Sequence, residues 1–152
     1  MPEAVVLDAY AVLAFLDDEP GAEAVAEVLR SGEPWMTLVN LGEVAYIVEC
    51  ERGVEAAEEV WANLRAQERP GGGQAIRWLD VDEVLVRAAA KIKAGGGVSY
   101  ADSFAAAAAR ILGCPVMTGD REFAVVEAAG IVVHWLPPPR VDAPVASGPM
   151  TG

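Results

Sequence analysis

The sequence predicts an α/β fold: a single three-layer domain with a mostly parallel central sheet and helices on both faces. Short apolar runs rich in β-branched residues alternate with longer segments whose apolar residues recur at helical spacing. Parallel neighbouring strands need crossover connections, which helices supply. With 152 residues, 53% of them hydrophobic, the chain is long enough to bury one substantial core.

In the first half of the chain, apolar runs and helical spacing alternate in the order expected for this fold. We expect strands at residues 4–7 and 35–39, and helices at residues 9–16, 22–29, 41–51 and 55–67. Asn40 and Glu43 have the N-x-x-E spacing of a capping box, which predicts that the third helix begins at Leu41.

The second half continues the same alternation. We expect strands at residues 76–79, 115–118 and 131–136, and a helix at residues 121–129. Asp82 and Ser99 are predicted N-caps of two further helices, the first ending at the glycines of residues 95–97 and the second near Leu112.

The ends of the chain and its cysteines carry few signals. We expect residues 1–136 to form the domain and the Pro- and Gly-rich residues 137–152 to form a disordered tail. No apolar run approaches the roughly 20 residues that span a bilayer, and no basic signal region is seen, so we expect a cytoplasmic protein without a membrane partner. Cys50 and Cys114 lack zinc or disulfide spacing and are expected to be reduced core residues.

Four acidic residues are predicted to converge at one edge of the sheet. Asp8 and Asp120 stand at the carboxyl ends of predicted strands, where open α/β sheets bind ligands. Glu43 and Asp102 are each expected in the first turn of a helix that begins at the same edge. Converging carboxylates must be protonated or hold a cation, and oxygen ligands favour Mg²⁺ or Mn²⁺. The expected reaction is hydrolysis of a phosphodiester.

The segments around these residues resemble the signatures of a known family. In order, they read VLDAYAVLA at residues 6–14, NLGEV at 40–44, SYADSFAAA at 99–107 and TGDREF at 118–123. They resemble the motifs of PIN-domain ribonucleases, and the resemblance extends from Val5 to about Trp135. The short chain looks most like a VapC-type toxin.

This resemblance implies a magnesium- or manganese-dependent endoribonuclease of a toxin–antitoxin system. Its implied partners are an RNA substrate, a cognate antitoxin that inhibits it and a second copy in a homodimer. The matching acidic residues, Asp8, Glu43, Asp102 and Asp120, would bind the metal, and the hydroxyl of Thr118 would help to orient the site. Tyr10 departs from the small residues that are common at its position in the family.

Other interpretations of the same residues stay open. Singly, the four carboxylates also suit helix caps and turns, which stabilise a fold without chemistry. A magnesium-dependent phosphatase would use a second aspartate two residues after Asp8, where Tyr10 stands. A non-catalytic interaction module would keep the fold and use its acidic face to bind a basic protein. The glycine runs lack nucleotide-binding spacings.

The net charge of −12 is the opposite of the basic footprint of most nucleic-acid-binding proteins. Clustered metal-binding carboxylates and a basic protein partner would both account for it. Candidate phosphate contacts are the basic residues near the glycine-rich loop and the Asp102 and Asp120 helices, namely Lys91, Lys93, Arg110 and Arg121. Trp61 and the apolar residues of the second and fourth helices suit either the core or an antitoxin groove.

Overall fold

Five parallel strands form the centre of the protein in a computed structural model that describes residues 2–140. The strands are β1 (Ala4–Leu7), β2 (Glu33–Thr37), β3 (Arg77–Leu79), β4 (Val116–Thr118) and β5 (Val133–Trp135). They are ordered β3-β2-β1-β4-β5 across the sheet, and each neighbouring pair is parallel. The predicted α/β class and parallel sheet are therefore confirmed.

Helices connect the strands. They are α1 (Ala9–Leu16), α2 (Ala22–Ser31), α3 (Leu38–Arg52), α4 (Val54–Ala66), α5 (Glu83–Ala94), α6 (Tyr100–Leu112) and α7 (Ala124–Ala128). The helix predicted over residues 121–129 is divided into a short 3-10 helix, Arg121–Phe123, followed by α7. The other predicted elements are present in order, with ends that differ by a few residues.

The buried core has two parts, one on each face of the sheet. Along β1, Val5 and Leu7 pack with α1, α2, α3 and α4, whereas Val6 packs with α5, α6 and α7. This division follows from the alternation of side chains along a strand. Helix α6 is nearly enclosed, because its residues from Ser103 to Ala109 are all buried. The small side chains of its alanines let it pack closely on the sheet.

The order of the strands creates a switch point between β1 and β4. The connection from β1 leads to β2 on one side, and the connection from β4 leads to β5 on the other. The two connections leave a crevice beyond the carboxyl ends of these strands, where doubly wound sheets bind ligands. Asp8 follows β1 directly, and Asp120 lies two residues after Thr118, the last residue of β4.

Two predictions about local structure were wrong. Helix α3 begins at Leu38 rather than Leu41, and its N-cap is Thr37, whose hydroxyl accepts the Asn40 backbone N–H at 3.1 Å. Asn40 therefore lies inside the helix and is buried, so it forms no capping box with Glu43. Cys50, predicted in the core, is exposed near the end of α3.

Beyond β5 the chain returns toward the N-terminal half. Leu136 is buried against Gly21, and Arg140 donates hydrogen bonds to the Glu19 carboxylate and the Asp18 carbonyl. Residues 137–140 form no helix or strand, and the rest of the predicted tail, residues 141–152, lies outside the described residues. Among the described residues, no helix is long and apolar enough to cross a membrane.

Candidate metal-binding site

Asp8 lies at the crevice, between the end of β1 and the start of α1. Its backbone continues β1, and its carboxylate caps α1 by accepting the Ala11 N–H at 2.9 Å. The residue is 1% exposed. Burial, the largest cause, raises the pKa of Asp8 to about 8, and the negative charges of Asp102 and Asp120 add to it. Hydrogen bonds from Thr118 and Ala11 act in the opposite direction without cancelling it.

Asp102 reaches the same crevice from α6. Ser99 caps this helix as predicted, accepting the Asp102 N–H at 3.1 Å, so that Asp102 falls in the first turn. Burial and the nearby charges of Glu43 and Asp120 raise the pKa of Asp102 to about 7, although a hydrogen bond to Ser99 lowers it. The adjacent charges are carboxylates, and each disfavours ionisation of the others.

Glu43 enters the crevice from α3, later in the helix than predicted. Its Oε1 atom is buried and has no hydrogen-bond partner among the described residues. Burial raises the pKa of Glu43, with Asp120 adding to the effect and the Asn40 side chain opposing it. A buried carboxylate oxygen without a donor is costly, and a bound cation would satisfy it.

The helices that carry Glu43 and Asp102 are tied together by the buried side chain of Asn40. Its amide nitrogen donates to the Ala101 carbonyl of α6 at 3.0 Å, and its amide oxygen accepts the Thr37 hydroxyl at 2.6 Å. Ala101 immediately precedes Asp102. This bridge fixes the separation of the two helices at the level of the crevice, so Asn40 positions Glu43 and Asp102 relative to each other.

Asp120 follows β4, with its own backbone N–H donating to the Thr118 hydroxyl at 2.9 Å. Thr118 is fully buried, and its side chain also bonds to Asp8. The Asp120 carboxylate caps the 3-10 helix by accepting the Glu122 N–H at 3.0 Å. Thr118 thus links the residues that follow β1 and β4.

Glu122 is the acidic residue that sequence reasoning missed. One ligand atom from each of Asp102, Asp120 and Glu122 lies within 4.8 Å of the other two. Glu122 is exposed, so it stands at the mouth of the crevice. The Asp-x-Glu spacing in the TGDREF segment is the sequence feature that could have indicated Glu122. We call Asp8, Glu43, Asp102, Asp120 and Glu122 the acidic pocket.

Tyr10 forms a wall of the acidic pocket on the side of Gly119. A Cβ atom added at Gly119 would lie 2.6 Å from Cζ of Tyr10, so the ring rests directly on the glycine backbone. Partial burial raises the pKa of Tyr10, and the charges of Glu19 and Asp8 add to it. The ring therefore takes the space that a side chain at position 119 would fill.

The chemistry of these donors fits a hard divalent cation. All five side chains offer carboxylate oxygens. Within residues 2–140 no nitrogen or sulfur ligand joins the cluster, and the buried Oε1 of Glu43 has no hydrogen-bond partner. Such oxygen sets are typical of magnesium and manganese rather than zinc. Of the predicted residues, Asp102 and Asp120 belong to the cluster of ligand atoms within 4.8 Å of one another. Asp8 and Glu43 lie near enough to these carboxylates to interact with them electrostatically. The Thr118 hydroxyl bonds to both Asp8 and Asp120.

The fold and the pocket define a class of protein: a doubly wound parallel α/β domain with a carboxylate-lined pocket at its switch point. The family is more specific. The PIN domain family matches residues 5–129, and the chain belongs to this family. No curated protein matches the chain in sequence.

Several solved structures share this fold. A chain of the DNA-bound VapBC complex from Salmonella typhimurium is 20% identical with a TM-score of 0.66, over 88% of this chain and 98% of that chain. VapC20 from Mycobacterium tuberculosis, a sarcin-ricin loop cleaving toxin, is 17% identical with a TM-score of 0.64, over 84% and 96% of the two chains. FitAcB from Neisseria gonorrhoeae is 21% identical with a TM-score of 0.61, over 85% and 95%. At these identities the likeness is one of fold.

The metal-free protein should lose stability as the pH rises from about 4 to about 8. The native pKa values of Asp8, about 8, and Asp102, about 7, exceed the ordinary value of 3.8. The native state therefore binds more protons than the unfolded chain in this interval, and the free energy of unfolding falls with pH. We expect a fall of more than about 1.4 kcal/mol, the equivalent of one pKa unit, in urea titrations with EDTA.

Matched variants test the source of this pH dependence. Asp102→Asn should flatten the decline, whereas Asp80→Asn, at an exposed aspartate, should leave it unchanged. Stability that stays constant or increases over the same interval would contradict the raised pKa values.

The contact between Tyr10 and Gly119 predicts a coupled pair of substitutions. Gly119→Ala should destabilise the protein by about 1 to 3 kcal/mol, because the new methyl group overlaps the Tyr10 ring. Tyr10→Ser in the same chain should remove most of that loss. A double-mutant cycle from thermal melts should give a favourable coupling of roughly 1 kcal/mol or more.

Gly42→Ala, where an added Cβ meets nothing within 4 Å, is the control and should be neutral or stabilising. Additive effects of the two substitutions would refute the contact.

Proposed function

We propose that this chain is a metal-dependent endoribonuclease and the toxin of a VapBC-type toxin–antitoxin pair. The observation that carries the proposal is the acidic pocket, which groups carboxylates that follow β1 and β4 with others from α3 and α6. The pKa values of Asp8, Glu43 and Asp102 are raised there, and Oε1 of Glu43 has no hydrogen-bond partner among the described residues. Membership of the PIN domain family supports a nuclease. The fold shared with VapC20, which is a sarcin-ricin loop cleaving toxin, supports RNA as the substrate.

In this proposal Asp8, Glu43, Asp102 and Asp120 hold Mg²⁺ or Mn²⁺, with Glu122 available at the mouth. When bound, the ion would neutralise charge on the scissile phosphodiester and lower the pKa of a water molecule. The residues themselves do the positioning. The Asn40 bridge sets Glu43 against Asp102.

Thr118 has a separate part in the proposed mechanism. Its hydroxyl accepts the Asp120 N–H and bonds to the Asp8 carboxyl, so it fixes the orientation of two carboxylates on neighbouring strands. Tyr10 packs against Gly119 and forms one wall of the pocket. These hydrogen bonds hold the carboxylates in place before any substrate enters, which is favourable for catalysis by positioning.

A divalent-ion assay tests the proposed activity. The wild type should cleave RNA with Mg²⁺ and lose cleavage in EDTA, and Asp102→Asn should reduce the rate by about 100-fold or more, because an amide is a poorer ligand than a carboxylate. Magnesium should raise the melting temperature of the wild type and not of Asp102→Asn. Asp80→Asn, purified in parallel, controls for contaminating nucleases.

The results separate the alternatives. Equal RNA cleavage in EDTA and in magnesium would refute the metal mechanism. Hydrolysis of p-nitrophenyl phosphate without RNA cleavage would favour a phosphatase. A folded wild type that binds no magnesium and cleaves no RNA would favour a non-catalytic interaction module.

We also propose a cognate antitoxin and a homodimer. Exposed apolar side chains on α3 and α4 support a protein partner: Tyr46 is 61%, Val54 58% and Trp61 37% exposed. Val54 and Trp61 are seven residues apart and so share a face of α4. The net charge of −12 favours a partner that adds basic residues.

Co-expression tests the antitoxin. The protein encoded immediately upstream should co-purify with this chain and inhibit its ribonuclease activity. Trp61→Glu should weaken that complex by about tenfold or more, since buried aromatic residues dominate interfaces. The control substitution Val132→Glu, at a residue that is 59% exposed elsewhere on the surface, should not weaken the complex. Equal weakening by both substitutions, or no complex at all, would count against the proposed surface.

A further inference from the structure

A strongly acidic protein that acts on RNA needs some way to hold a polyanion, and most of its basic side chains are already engaged. Ion pairs with acidic side chains occupy Arg30, Arg52, Arg77 and Arg87. Two of the candidate phosphate contacts are directed to carbonyl oxygens: Lys93 donates to Val98 at 2.8 Å and Arg110 to Ala129 at 3.3 Å. Lys91 lies beside Arg87 on the surface of α5.

Arg121 differs from these residues in both position and surroundings. It lies in the 3-10 helix between Asp120 and Glu122, at the mouth of the acidic pocket. Within residues 2–140 its guanidinium makes no ion pair, despite acidic neighbours on both sides in sequence. Instead its Cζ atom lies 5.0 Å from the centroid of the Trp135 ring. A cation over an aromatic face keeps its edge N–H donors available.

Trp135 is itself held in place. It is the last residue of β5 and pairs in register with Thr118, the last residue of β4. Its indole N–H donates to the Glu127 carboxylate of α7 at 3.2 Å. The indole therefore forms a fixed platform at the same edge of the sheet as the acidic pocket.

The charge of Arg121 acts on the wall of the pocket rather than on its interior. It lowers the pKa of Tyr10, opposing the effect of burial there. The groups that perturb Asp8, Glu43 and Asp102 electrostatically are all carboxylates. Arg121 thus lies beside Tyr10 at the rim, close to where a chain entering the pocket must pass.

We propose that Arg121, held over Trp135, binds a backbone phosphate of the RNA next to the scissile phosphodiester. A guanidinium can bind phosphate through two parallel N–H bonds, which fixes direction as well as position. Trp135 is a positioning residue that acts through Arg121. This inference rests on the proposed ribonuclease function and adds the residue that orients the RNA backbone.

The matched control is a second arginine–tryptophan pair. Arg65 lies 5.0 Å from the centroid of Trp78 on β3, at the other edge of the sheet and away from the acidic pocket. The two pairs have the same distance of 5.0 Å from arginine Cζ to ring centroid, and they lie at opposite edges of the sheet. Substitutions in the two pairs therefore separate a contact with RNA from a general effect of losing one charge.

The first experiment measures magnesium-dependent cleavage of a single-stranded RNA oligonucleotide. Arg121→Ala should raise KM by about tenfold with little change in kcat, since a phosphate contact made equally in ground and transition states contributes to binding alone. The dependence of oligonucleotide affinity on salt should also weaken by about one counterion. Arg121→Lys should restore the wild-type salt dependence but reverse only part of the rise in KM. Arg65→Ala should resemble the wild type.

A double-mutant cycle tests the role of Trp135. Trp135→Leu should raise KM when Arg121 is present and have little further effect in an Arg121→Ala background. An equal rise in both backgrounds would show that Trp135 acts on the fold alone.

Arg121→Ala with a wild-type KM and salt dependence, in a protein that cleaves RNA with magnesium, would overturn this inference and leave the proposed function standing. A wild type that neither binds nor cleaves RNA would refute the proposed function first, and this inference with it.

Discussion

The rest of the site depends on the burial of the Asp8 carboxyl group away from water. Strand β1 is buried on both faces, so the residue that ends it is buried too, and Asp102 and Asp120 add negative charge nearby. Such a group is stable only when it is protonated, hydrogen-bonded or beside a cation. Thr118 and Ala11 supply the hydrogen bonds, yet the pKa stays raised to about 8. The protein therefore keeps a locally unfavourable charge arrangement, which a divalent ion would relieve.

Helix N-termini partly offset this arrangement. The N-caps of α1, α3, α6 and the 3-10 helix are Asp8, Thr37, Ser99 and Asp120. These N-termini all face the crevice, because α1, α3 and the 3-10 helix follow the carboxyl ends of strands and α6 begins beside Asn40. The positive end of each helix dipole lowers the cost of nearby negative charge. Asp8 and Asp120 therefore serve both as N-caps and as members of the acidic pocket.

The sequence predicted correctly those parts of the site that depend on contacts between residues close together in the chain. Asp8 and Asp102 were placed correctly, because a buried strand ending and a Ser-x-x-Asp cap each act within four residues. The start of α3 was misplaced because Asn40 was taken as the N-cap, whereas Thr37 caps the helix. The side chain of Asn40 instead bonds to Ala101, 61 residues away, and no local pattern indicates such a contact. Cys50 was misjudged from its apolar neighbours. The helical period from the buried Val44 and Val48 turns position 50 outward.

The sequence did not indicate Glu122, and it did not distinguish Arg121 from the other three candidate phosphate contacts, for a related reason. Both follow Asp120 in an exposed, charged segment that by composition alone suits a solvated turn. Their roles depend on the 3-10 helix, which the Asp120 carboxylate caps and which turns Glu122 toward Asp102. The same turn directs Arg121 to the platform at the end of β5. A protein of net charge −12 cannot attract RNA through its overall field. In the proposed function, RNA binding therefore depends on a few positive groups held at the pocket, and the geometry of that turn would set the position of the bound phosphate.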